Sequence, residues 1–139
     1  MPLDKDSGVV LIDKIIEIFF DAFGKDISLS EKQIAIEHMG FFQIKYKYFP
    51  LGYDIVFEND RGVFTIEIYD SEGAYNSLYR IEKYDGETTI KNVKKATRIL
   101  KNVLIKNDFY FYLTCEGKIY RKQNQHYTRV KDLKELIGR

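Results

Sequence analysis

From Phe41 onward the hydrophobic period of this chain is two, and no other feature constrains the fold as tightly. Phe42, Ile44, Tyr46 and Tyr48 alternate with Gln43, Lys45 and Lys47, the pattern of a strand buried on one face and wet on the other. Pro50-Leu51-Gly52 turns the chain into a second such segment, Tyr53–Glu58. Asn59-Asp60-Arg61-Gly62 reads as a hairpin loop into Val63–Tyr69, where Phe64, Ile66 and Ile68 share a face. Ser71-Glu72-Gly73 makes a further turn, and Ser77–Tyr84 reads as a fourth strand. Phe109–Cys115, Lys118–Lys122 and His126–Val130 continue the series after a helical interval. Strands joined by short loops form an antiparallel meander. The expectation is a single α+β domain over residues 1–139, with a sheet of about six to seven strands.

Helices flank this sheet. One is predicted from Ser7, as N-cap, to Phe23, with Gly24 placed to end it. Its polar residues Asp13, Glu17 and Asp21 recur every four residues and so share one narrow face, leaving the remainder to the core. Ser28 and Glu31 have capping-box spacing, and Gly40 follows, which predicts a second N-terminal helix. The alternation of Ile34, Ile36 and His38 also permits a strand there. Over 88–106, Ile90, Val93, Thr97, Leu100 and Leu104 recur at three-four spacing, so a long amphipathic helix packs one face on the sheet. Lys131–Ile137 reads as a short C-terminal helix.

A chain of 139 residues can bury roughly two thirds of its unfolded surface, enough for one core. Its 11 Tyr and 10 Phe, with no Trp, suit half-buried sheet faces and interfaces. The lone Cys115 excludes an intramolecular disulfide and a thiolate metal site, and its expected state is a buried, inert thiol. With no secretory leader in view, this favours a reducing, cytoplasmic setting. Val9–Phe23 is too short and too charged to span a bilayer, so no membrane partner is expected.

The near-neutral total charge of +1 conceals a division. Residues 1–87 hold 9 Lys/Arg and 17 Asp/Glu, a net of −8, whereas residues 88–139 hold 13 and 4, a net of +9. The boundary falls just before the amphipathic helix, inside one fold, so the expectation is one body with two oppositely charged surfaces.

Catalytic chemistry finds no footing. His38 and His126 stand far apart, with no metal-binding spacing. There is no Gly-x-Ser-x-Gly elbow and no phosphate-cradling glycine loop. A metal-dependent nuclease of the restriction-enzyme type would take its acids from Asp54 and Glu67, but position 69 is Tyr where a Lys is needed. No enzyme activity, catalytic residue, cofactor or metal is expected. Two binding surfaces are. An acidic, Tyr-rich surface of Asp54, Glu58, Asp60, Glu67, Tyr69, Asp70, Glu72 and Tyr75 would steer and anchor a basic protein partner. The alternative is nucleic-acid binding by Lys91, Lys94, Lys95, Arg98 and Lys101 on the helix, with Arg121 and Lys122 on the final hairpin.

Three segments carry a resemblance: Gly52-Tyr53-Asp54-Ile55-Val56-Phe57-Glu58, Asn92-Val93-Lys94-Lys95-Ala96 and Asn107-Asp108-Phe109-Tyr110-Phe111-Tyr112. With the Tyr/Phe-rich meander and Lys-rich helix around them, the chain resembles the small immunity proteins of bacterial polymorphic and contact-dependent toxin systems. That resemblance implies a non-enzymatic protein that binds a cognate toxin and blocks its active site or an essential surface. Many such toxins are nucleases with basic clefts, which an acidic surface complements. It transfers no individual residue.

Overall fold

The computed structural model describes residues 5–35, 37, 40–123 and 125–136. Eight strands form one sheet in strict sequence order. They are β1 (Ile27–Ala35), β2 (Phe41–Tyr48), β3 (Tyr53–Asp60), β4 (Val63–Tyr69), β5 (Tyr75–Ser77), β6 (Phe111–Cys115), β7 (Lys118–Gln123) and β8 (His126–Arg129). Every neighbouring pair is antiparallel. Helix α1 (Lys5–Phe23) precedes the sheet, while the one-turn α2 (Leu78–Ile81) and the long α3 (Ile90–Lys106) lie between β5 and β6.

Register explains the core. Ile44 lies opposite Phe57 and Phe57 opposite Ile66, while Tyr46, Ile55 and Ile68 form the next row. Residues directly opposite share a face, so these rows make one continuous apolar surface. Helix α1 covers it: Phe19 stacks on Tyr46 at 4.4 Å and meets Phe57 edge-on at 6.0 Å, and Phe23 meets Tyr48 at 5.8 Å. Each such fully buried side chain contributes about 1.5–3 kcal/mol. Helix α3 buries Val93, Ala96, Thr97, Leu100, Val103 and Leu104 in the same core. The Thr89 hydroxyl caps its start by accepting from the Asn92 N–H at 3.1 Å, and Asn107 ends it in the left-handed region at φ 48°. The β3–β4 hairpin turns through Arg61 and Gly62, both at positive φ (55° and 78°), the tight turn whose twist matches its strands.

The α+β meander is as expected, but the sheet has eight strands where six to seven were expected, because the segment read as a helix adds an edge strand, and other details differ as well. The segment expected as a second N-terminal helix is β1, paired with β2 from Ile27↔Tyr48 to Ala35↔Phe41. As the exposed sheet edge it buries only Ile27 fully, so its sequence carries little hydrophobic period, and pairing with β2 overrides a capping-box spacing. The strand expected over Ser77–Tyr84 lies earlier, as β5 over Tyr75–Ser77, so the two share only Ser77; the chain then winds into α2 and drops Leu78 into the core. At the C-terminus the helical turn is 3-10 and covers Leu133–Leu136. Cys115 is exposed beside the Glu116-Gly117 turn, not buried as expected, because burial on β6 stops after Leu113.

Candidate protein-binding groove on the open sheet face

Alternation sends the remaining residues of β2, β3 and β4 to the face without helices. Asp54 lies opposite Tyr69, Val56 opposite Glu67, and Glu58 opposite Thr65. Glu58 and Glu67 are therefore diagonal cross-strand neighbours, close enough for long side chains to interact. Around them runs a groove of about 520 Å³, floored by Val56 and walled by Gln43, Lys45, Asp54, Glu58, Glu67, Tyr69 and the Asp70–Gly73 turn.

Acidic charge dominates this groove. Gln43 Nε2 donates to Glu58 Oε1 at 3.1 Å, and Lys47 approaches Asp54 at 3.5 Å. Lys45 is directed at Glu31, 3.8 Å away on the sheet edge. Burial pushes the Glu67 carboxyl above its ordinary value, and the neighbouring Glu58 charge pushes it the same way. The Tyr69 hydroxyl is raised by burial and then by the Glu67 charge. Tyr69 and Tyr75 stack with ring centroids 5.5 Å apart, which places an aromatic platform beside the carboxylates.

Of the acidic set read from the sequence, Asp54, Glu58, Glu67, Tyr69 and Asp70 line one groove, and Tyr75 adjoins it. Asp60 stands apart at the β3–β4 tip, 3.8 Å from Arg61. Asp70 forms wall more than free charge. Its Oδ1 accepts from the N–H groups of Glu72 and Ala74, at 2.9 and 3.0 Å, and its Oδ2 accepts from Lys122 Nζ at 2.7 Å. Glu72 also turns to Lys122.

The basic set divides as well. Lys91, Lys94, Lys95, Arg98 and Lys101 are exposed on the outer side of α3, and none of them lines the groove. Arg121 and Lys122 do not belong to one surface, since successive strand residues point to opposite faces. The Arg121 guanidinium lies 4.6 Å from the Tyr110 ring centroid. Lys122 is buried; desolvation lowers its pKa, but hydrogen bonds to Asp70 and Glu72 outweigh this and hold it above the ordinary lysine value. A cleft of about 260 Å³ lies on the other side of the Asp70–Ser71 wall, lined by Tyr53, Asn107, Phe109, Phe111 and Lys122. Sequence reasoning did not single out Gln43 or Val56, although their place on the wet side of the alternation was the available signal.

His126 is exposed on β8, and His38 lies outside the described residues. Among the described residues no three His, Cys, Asp or Glu side chains are grouped to hold a metal, and no helix is long and apolar enough to cross a membrane. Comparison with protein-family models, curated proteins and solved structures finds no match to this chain.

Proposed function

We propose that this chain is a non-enzymatic binding protein whose open sheet face receives a basic protein domain, and that it acts as the immunity protein of a bacterial toxin system. One observation carries the reading: Asp54, Glu58 and Glu67 converge with Tyr69 on a groove in the sheet face that no helix among the described residues lines. Unlike fields speed encounter, and partly buried aromatic side chains supply the contact area that holds a complex. A basic toxin cleft would lose access to its substrate once seated there.

The test is to search the adjoining genes for a toxin, co-express its C-terminal domain with this chain, and follow with calorimetry of the purified pair; adjoining genes that encode no toxin overturn the immunity role. A one-to-one complex that weakens by about 100-fold in the Glu58→Lys/Glu67→Lys variant is expected, because like charges then face each other across the interface. Equal affinity for wild type and variant, or recovery of nucleic acid without protein, overturns the proposal.

A further inference from the structure

The outer side of α3 meets the segment after α2 in a second groove, of about 420 Å³. Lys95 and Arg98 enter it from the helix and Lys83 from the preceding loop, so three cations converge from two elements. Among the described residues none of the three forms an ion pair. Among the described residues Asp85 is the one acidic residue lining the groove, and its Oδ1 already accepts from the Glu87 N–H at 3.0 Å. The local balance is therefore three positive charges against one negative. Asn92 and Asn102 add carboxamides, and Tyr84 with Ile99 forms an apolar floor.

A merely solvated helix face needs no such convergence, since its cations point outward and apart. We propose that this groove holds the phosphodiester backbone of a single nucleic-acid strand. Lys and Arg match phosphate in charge, and amide groups can bond sugar and phosphate oxygens. Lys91, Lys94 and Lys101 extend the positive field along α3 for about 15 Å, at 1.5 Å per residue, long enough for several phosphates. The Tyr84 and Ile99 floor gives unstacked bases an apolar surface to rest on, which favours a single strand over the closed stack of a duplex. This groove shares no lining residue with the acidic groove, so the inference stands independently of the protein-binding reading.

Fluorescence anisotropy with a labelled single-stranded oligonucleotide tests it, read as affinity against salt concentration. Three neutralised phosphates predict a slope of log K against log salt of about −2 from this groove. Replacing Lys83, Lys95 and Arg98 together by Gln should flatten the slope by about that amount. Replacing the exposed Lys14, Lys25 and Lys32 by Gln makes the same change in net charge elsewhere, and should leave the slope nearly intact. Absence of binding at about 50 mM salt overturns the proposal, because phosphate attraction is strong there. Equal losses in both triple variants, or a duplex bound as tightly as the single strand, overturn it as well.

Discussion

Lys122 donates from Nζ to Asp70 Oδ2 at 2.7 Å, and only 7% and 9% of the two side chains remain exposed. This contact bridges the weakest seam of the sheet. Strands β5 and β6 share a single register pair, Tyr75↔Tyr112, whereas β2 and β3 share seven. Where backbone pairing is sparse, side chains tie the two parts together. Lys122 on β7 grips Asp70 and Glu72 in the turn before β5, and Asn76 on β5 donates to the Tyr110 carbonyl at 2.8 Å.

Lys122→Met should therefore cost about 3–5 kcal/mol, the penalty for leaving a buried carboxylate without its partner. The lost stability should be local. Hydrogen exchange is expected to accelerate in β6, β7 and β8 before it does in β2 and β3. Because the ammonium is held above the ordinary lysine value, its contribution is constant through neutral pH and is lost only as alkaline pH rises through the folded-state pKa. Uniform acceleration across all strands would show that the seam is not a separate unit.

Asn76→Ala probes the same seam from the other side. Its carboxamide oxygen accepts from Arg80 Nη1 at 3.0 Å and from the Ser77 N–H at 2.8 Å, while its nitrogen serves Tyr110. Removal leaves these groups to find other partners, at a cost of about 1–3 kcal/mol by urea unfolding. A change within about 0.5 kcal/mol, typical of an uncommitted surface site, would contradict this role.

The Tyr46 hydroxyl poses the opposite case. Its ring stacks on Phe19, its side chain is fully buried, and its oxygen has no hydrogen-bond partner among the described residues. Burial alone raises its pKa. Tyr46→Phe keeps the ring contact and removes the orphan group, so it should stabilise by about 1 kcal/mol. A lower urea midpoint would instead mean that the hydroxyl is bonded.

Legibility in the sequence followed burial. Strands β2, β3 and β4 were readable because each has one buried and one wet face, which writes a period of two into Phe42–Tyr48 and Val63–Tyr69. Edge strand β1 carries exposed Leu29 and Ile34 among polar residues, so its pairing with β2 left little local trace. The same alternation placed Asp54, Glu58 and Glu67 on one face, and that much of the groove was legible. What escaped was long-range. No local pattern announces that Lys122 reaches back 52 residues to Asp70, or that Lys83 joins Lys95 and Arg98 in one groove.

Glu67 gives the sharpest link between stability and the proposed interface. Burial and the Glu58 charge raise its folded-state pKa above that of the unfolded chain. Between those two values the folded state holds more protons, so stability falls as pH rises through the folded pKa. At neutral pH the ionised Glu67 thus costs the fold free energy. Glu67→Gln is expected to raise the urea midpoint at pH 7, and the gain should shrink as pH falls towards the ordinary carboxylate value. If the groove receives a basic partner, the same variant should bind that partner more weakly while being the more stable protein. Such opposition is the mark of a residue kept for binding at the expense of stability. A variant that is less stable at pH 7, or one whose gain persists unchanged into acid, would remove the argument.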